Sequence, residues 1–162
     1  MSDELFSRLI RTGSFMRSHF YALLNDLSAH TRLPFDSHLE GSRVRFQVDK
    51  DYCFGLALDN SEEFLIFECV LLNRRFVDME AMTYLRLNFV AAYHDGCFIS
   101  VDPNTDSIVL LARLPLQGLG VSLVIETMET MLKIADRVIS GDLSRSEPAS
   151  AQTFDFLSQM RA

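Results

Sequence analysis

The spacing of hydrophobic residues alternates along the chain between two periods, and each period predicts one kind of element. Apolar positions recur every three or four residues in helical stretches and at every second residue in strand-like stretches. In chain order, the predicted elements are helices over residues 3–11 and 14–31, strands over 43–48, 52–58 and 63–72, a helix over 78–93, strands over 97–101 and 107–113, and a helix over 121–140. The main order, α-β-β-β-α-β-β-α, predicts an α+β sandwich in which an antiparallel sheet packs on helices.

Breaks in the pattern divide the chain into three parts. Gly13 and Ser14 interrupt the first helical stripe, and Ser14 is a suitable N-cap for a new helix. Residues 1–13 are therefore predicted to be a helical extension before a single domain over residues 14–141. Gly141 fits the stop of the last helix, and the Ser-, Pro- and Ala-rich residues 142–162 are predicted to be a flexible C-terminal tail.

The helix over residues 78–93 is apolar on nearly every side, so it needs two surfaces to bury it. The sheet of the same chain supplies one surface, and a second copy of the protein most simply supplies the other. The pattern therefore predicts a homodimer. It leaves open whether the polar residue Asn88 is paired across the dimer or within one subunit. The candidate interface residues are Met82, Leu85, Asn88, Phe89, Val90 and Tyr93.

The charge and the cysteine positions indicate which kinds of partner and which cellular compartment to expect. The 162 residues are 48% apolar and carry 15 basic against 22 acidic side chains, a net charge of −7 without any basic run. Binding to nucleic acid through its phosphates is therefore not expected. Cys53, Cys69 and Cys97 each lie in an apolar run, which is typical of reduced core cysteines in a cytoplasmic protein. No secretory signal is recognisable, and no apolar run approaches the roughly 18 residues of a membrane span.

Residues that could carry chemistry do not form a recognisable pattern. His19, His30, His38 and His94 show no helical metal-ligand spacing and no cysteines have the CxxC spacing, so neither a metal nor a cofactor is expected. Cys97 and His94 could form a nucleophile pair, but no third orienting group is identifiable. A small cysteine-dependent enzyme therefore remains as a less favoured alternative.

One continuous stretch resembles a known family. It contains a helix with Leu85-Arg86-Leu87-Asn88, a turn at Asp95-Gly96, two strands joined by a polar turn over residues 97–112, and then Arg113-Leu114-Pro115-Leu116. This order resembles the class I type III secretion chaperones, the Tir chaperone (CesT) family. The resemblance extends over about Phe20 to Gly141, and the acidic balance agrees with it.

The resemblance implies a homodimer in the bacterial cytoplasm without enzymatic activity. Such a protein binds the N-terminal chaperone-binding segment of a secreted effector, keeps it soluble, partly unfolded and secretion-competent, and presents it to the secretion ATPase. The first main helix and the first three strands would then bind the effector, although burial in the core is an equal alternative for each residue, because the outward face of each strand is left open. These candidates are Phe20, Leu24, Phe46, Phe54, Leu56, Leu65 and Phe67.

A second function is compatible with the same resemblance. The chain could be a dimeric interaction or regulatory domain of this fold that works outside secretion. Fold and dimer would be identical in the two cases, so only the partner distinguishes them.

Overall fold

The computed structural model describes residues 2–32, 35, 39–78, 81–94 and 96–141, and within them it shows three helices and a six-stranded sheet. The elements are α1 (Ser2–Thr31), β1 (Leu39–Glu40), β2 (Arg43–Gln47), β3 (Tyr52–Leu58), β4 (Phe64–Arg75), α2 (Ala81–His94), β5 (Cys97–Val101), β6 (Ser107–Pro115) and α3 (Val121–Ser140). The strand order is β1-β2-β3-β4-β6-β5, and every neighbouring pair is antiparallel. The predicted α+β class is confirmed.

Two details of the sequence-based assignment are wrong. The predicted break at Gly13 and Ser14 does not exist, because α1 is one helix of 30 residues. A single glycine costs a helix only about 1 kcal/mol relative to alanine, which the rest of the helix can absorb. The strand β1 was missed because its two residues are too short to show a period. The predicted C-terminal tail lies outside the described residues.

The hydrophobic core lies between one face of the sheet and the helices α1 and α3. Alternate residues of β2, β3 and β4 are buried and join a single cluster with the apolar stripes of both helices. The hydroxyl of Tyr52 on β3 donates a hydrogen bond to Asp136 on α3, which adds a polar link between the two layers. The helix α3 ends at Gly141 in the left-handed conformation (φ 69°), as predicted.

The helix α2 lies beside β5, the strand at one edge of the sheet, and Asn88 joins the two. Its side-chain Nδ2 donates to the carbonyl oxygen of Ile99 at 2.9 Å, and its Oδ1 accepts from the N–H of Ile99. An edge strand has backbone groups without a strand partner. The amide of Asn88 pairs with both groups of Ile99, so this residue acts within one subunit.

The turn between β3 and β4 is organised by Asp59. Its Oδ1 accepts hydrogen bonds from the backbone N–H groups of Glu63 (3.1 Å) and Phe64 (3.2 Å), and both carboxylate oxygens accept from the Ser61 hydroxyl. Arg113 of β6 donates to Oδ2 at 2.8 Å. Partial burial acts to raise the pKa of Asp59, but these hydrogen bonds and the arginine outweigh it and hold the pKa below its usual range.

Further contacts connect this turn to the rest of the subunit. The guanidinium of Arg113 lies 3.7 Å from the centre of the Phe64 ring. The N–H of the buried Leu116 donates to the Glu63 carbonyl at 2.8 Å, and Glu62 forms an ion pair with Arg17 of α1. The motif Arg113-Leu114-Pro115-Leu116 therefore has a structural role, because it fastens the end of β6 to this turn.

The first testable prediction concerns Asn88. Replacing it (Asn88→Ala) removes two hydrogen bonds and leaves the edge groups of Ile99 unpaired, so the free energy of unfolding should fall by about 1–3 kcal/mol. Urea denaturation at fixed protein concentration measures the change. The exposed Asn25 on α1 supplies the control, because Asn25→Ala should be close to neutral. Equal stabilities of the two variants would show that the Asn88 bonds contribute nothing.

The second prediction is a pH dependence. Because the folded-state pKa of Asp59 is lowered, its contribution to stability is present above the unfolded-state pKa and is lost as pH falls through the folded-state value. Asp59→Asn should therefore cost about 1 kcal/mol at neutral pH, and the difference from wild type should shrink below about pH 4. Urea denaturation across this pH range checks it, with exposed Asp26→Asn as control. A difference that does not vary with pH would refute the role of the carboxylate.

Candidate interaction surfaces

The second face of the sheet, here called the outer face, is not covered by α1 or α3. The register places residues of one parity on this face, in rows such as Arg45, Gly55, Glu68 and Leu111 across β2, β3, β4 and β6. Most of these side chains are half-buried or exposed. Strand by strand, the outer face consists of Arg43, Arg45, Gln47, Cys53, Gly55, Ala57, Phe64, Ile66, Glu68, Val70, Val109, Leu111, Arg113, Phe98 and Ser100.

A shallow trough follows β3 on the outer face. Its floor is made of the small residues Cys53, Gly55 and Ala57, and we call this feature the β3 trough. The longer side chains of β2 and β4 stand on either side of it. A Cβ atom added to Gly55 would lie 3.0 Å from Oε2 of Glu68, so the Glu68 carboxylate reaches over the floor.

Charged groups concentrate at this trough. Glu68 forms an ion pair with Arg43, and its Oε2 lies 3.6 Å from Nη2 of Arg45. One carboxylate thus faces two guanidinium groups. The Nε of Arg43 is buried and has no hydrogen-bond partner within the described part of the chain. The trough therefore carries a local excess of positive charge in a protein whose net charge is −7.

The cysteine side chains do not resemble an activated nucleophile. Burial raises the pKa of the Cys53 thiol; Arg45 and Arg43 act in the opposite direction and Glu68 reinforces the rise. Burial also raises the pKa of Cys69. A nucleophilic cysteine needs a lowered pKa. Cys97 is buried in the core, and the side chain of its predicted partner His94 lies outside the described residues.

An exposed apolar surface, here called the α2 patch, lies on α2 and the segments next to it. Met82 and Leu85 are 62% and 61% exposed, and their spacing puts them on one side of the helix. Val77 before the helix is 51% exposed, and Phe98 of β5, which belongs to the outer face, is 49% exposed at the neighbouring edge of the sheet. Tyr84 points the other way into the core, so α2 buries one side and presents the other to solvent.

The six predicted dimer residues divide into three groups. Met82 and Leu85 belong to the α2 patch and are open to a partner. Asn88 is used inside the subunit, where it binds Ile99. The side chains of Phe89, Val90 and Tyr93 lie outside the described residues, so their part in an interface stays a prediction.

The seven predicted effector-binding residues are all buried, and none is more than 7% exposed. Phe20 and Leu24 belong to the buried stripe of α1, and the five strand residues share the buried parity of β2, β3 and β4 that faces α1 and α3. These residues form the core and are not available to a ligand of the folded subunit, which corrects the prediction. They are Phe20, Leu24, Phe46, Phe54, Leu56, Leu65 and Phe67.

Sequence reasoning overlooked the outer-face residues Arg43, Arg45 and Glu68. A signal for them was present, because the arginines alternate with the buried residues of β2. The small residues of β3 alternate in the same way with large buried ones. Only the register shows that these two series, and Glu68 on β4, share one face.

The described ranges lack both a metal-binding cluster and a membrane-spanning helix. No group of three or more His, Cys, Asp or Glu residues there could hold a metal ion. No helix there is both long and apolar enough to span a membrane.

Solved structures similar to this chain include a chaperone-effector complex and a type III secretion chaperone. The HopA1-SchA chaperone-effector complex gives a TM-score of 0.60 at 18% identity, covering 72% of this chain and 90% of that one. The ExsC-ExsE complex gives a TM-score of 0.57 at 18% identity, and the match covers 70% of this chain and 86% of that one. A third similar structure is the Yersinia pestis type III secretion chaperone SycH in complex with a stable fragment of YscM2. Its TM-score is 0.57 at 16% identity, and the match covers 72% of this chain and 96% of that one. At these identities the likeness establishes the fold.

The sequence itself identifies the family. No curated protein matches the chain. However, the sequence model of the Tir chaperone protein (CesT) family matches residues 22–138, which is most of the chain. The protein belongs to the Tir chaperone protein (CesT) family, and the predicted family is confirmed. The matched region begins within α1, so the first two-thirds of that helix precede it.

Proposed function

We propose that this protein is a homodimeric type III secretion chaperone that binds the N-terminal segment of a secreted effector and keeps it soluble, partly unfolded and ready for export. The family match over residues 22–138 carries this proposal. The similar fold of SchA in a chaperone-effector complex, and of the secretion chaperone SycH, supports it. The chaperone would act in the bacterial cytoplasm and deliver its cargo to the secretion ATPase.

The α2 patch is the proposed homodimer interface. Several large apolar side chains exposed on one element are typical of protein interaction sites. Met82 and Leu85 are long, exposed and close together on the helix, and Asn88 holds that helix against β5. Two copies of α2 related by a two-fold axis would bury the same residues from both subunits.

The outer face of the sheet is the proposed effector surface. It offers a broad, half-exposed area with apolar residues on β4 and β6, and it lies on rigid strands supported by α1 and α3. Such a surface suits an extended segment that has no fold of its own. Binding rather than catalysis is supported by the raised pKa of Cys53 and the burial of Cys97.

The third prediction tests the dimer. Leu85→Asp combined with Met82→Asp places two charges in the α2 patch, so the dimer should dissociate because a buried unpaired charge is costly. Light scattering after size-exclusion chromatography should show 18.4 kDa for the variant and twice that mass for wild type.

Leu123→Asp is the matched control, because Leu123 is 46% exposed on α3, away from the patch. This control should remain dimeric. A dimer unchanged by the double substitution would move the interface elsewhere, and a wild-type protein that is monomeric at micromolar concentration would contradict the proposed dimer.

The fourth prediction tests the cargo. Affinity purification from the native cytosol with mass spectrometry should identify a large protein whose N-terminal fragment, when coexpressed, copurifies with this chain as a soluble complex. Deletion of that fragment from the full-length partner should abolish the copurification. A partner that binds only through its folded domains would instead favour an interaction or regulatory role outside secretion.

A further inference from the structure

We propose that the β3 trough is a receptor for a carboxylate side chain of the bound effector segment, with Arg43 and Arg45 as the groups that hold it. The inference rests on the proposed effector-binding function and names the chemistry of the segment. The occupant is an extended peptide in which an aspartate or glutamate is flanked by apolar residues.

The shape of the trough is the first observation that supports the proposal. The floor residues Cys53, Gly55 and Ala57 occupy successive outer-face positions of β3, so a low path follows the strand. Ile66 and Val70 of β4 are the cross-strand partners of Ala57 and Cys53 and form an apolar side of the path. An extended peptide could lie along it and place apolar side chains against β4.

The charged side chains at the trough are the second observation that supports the proposal. Glu68 is shared between Arg43 and Arg45, so these three side chains carry a net charge of +1. Arg45 also interacts at longer range with the Asp102 carboxylate. The buried Nε–H of Arg43 has no acceptor among the described residues. Guanidinium groups bind carboxylates through paired hydrogen bonds. A carboxylate from a partner would supply an additional counter-charge to the partly exposed guanidinium groups of Arg43 and Arg45.

Glu68 can make room for this ligand. Its carboxylate is the flexible end of a side chain, and because Gly55 has no Cβ the carboxylate can lie close over the strand, where a Cβ would be only 3.0 Å from Oε2. In the free protein, Glu68 partly neutralises the two arginines. We expect it to turn toward one arginine while the ligand takes the other.

Other occupants fit the same surface less well. A second copy packed face to face would bring its own Arg43 and Arg45 toward the same residues, which like-charge repulsion opposes. The trough also lies three strands from β5, roughly 14 Å from the side of the sheet that carries the α2 patch. Nucleic acid would meet the arginines, but the net charge of −7 repels its backbone.

The fifth prediction uses defined peptides as probes. Two labelled synthetic peptides of about 12 residues span the length of β3, alternate apolar and small polar residues, and differ only in a central Asp or Lys. The wild-type dimer should bind the Asp peptide about tenfold more tightly in fluorescence anisotropy, as expected for one charged hydrogen-bonded pair. Arg45→Glu should remove or reverse this preference.

One further variant tests the shape of the trough, and another controls for the change in the net charge of the protein. Gly55→Val fills the floor; its Cβ would lie 3.0 Å from Oε2 of Glu68, so that carboxylate must shift, and binding of both peptides should weaken. Arg17→Glu changes the net charge by the same amount at an exposed arginine of α1 that also pairs with a glutamate, and it should keep the preference for Asp. If Arg45→Glu does not fold, Arg45→Gln should reduce the preference without a reversed charge.

The outcomes distinguish this inference from the proposed function. Equal binding of the two peptides by wild type, or an Asp preference that survives Arg45→Glu, would overturn the carboxylate receptor. Tighter binding of a short single-stranded DNA than of the Asp peptide would overturn it as well. If the coexpressed effector fragment still copurifies in either case, the chaperone function stands and only the trough assignment falls.

Discussion

The antiparallel register of the sheet is the constraint on which the other features depend. Directly paired residues on neighbouring strands lie on the same face, so once Val44 and Phe46 of β2 turn toward α1 and α3, the matching parity of every other strand follows. Phe54, Phe67 and Leu110 are committed to the core in this way. The alternate residues of each strand then lie on the outer face, whether they are polar or apolar.

This constraint explains why an apolar chain of this size keeps open surfaces. The helices α1 and α3 cover one face of the sheet, while α2 lies beside β5 and covers little of the other. Asn88 occupies the backbone groups of Ile99 at this edge, so β5 offers less opportunity for uncontrolled strand pairing. Among the residues that the structure describes, the surfaces left uncovered are therefore side-chain surfaces, the outer face and the α2 patch.

Polar contacts hold this arrangement at the points where the helices and strands meet. Tyr52 and Asp136 link β3 to α3, and the turn that Asp59 organises is tied to Arg113 of β6 and, through Glu62, to Arg17 of α1. The proposed binding of an unfolded segment requires a scaffold that stays folded. These links, added to a continuous core, provide one, and they give the family-like Arg113 motif a structural role.

Much of the fold could be predicted from the sequence, because helices and strands each impose their own spacing on the hydrophobic residues. The longer strands, the positions of the helices and the α+β class follow from the spacing of apolar residues, whereas the exposure of Met82 and Leu85 does not, because α2 is apolar on nearly every side. The outward parity of β4 could not be predicted, since Leu65 and Ile66 are equally apolar and only pairing across strands decides between them. For the same reason the proposed effector residues fell in the core, while Arg43, Arg45 and Glu68, far apart in the chain, meet over Gly55 only in the folded sheet.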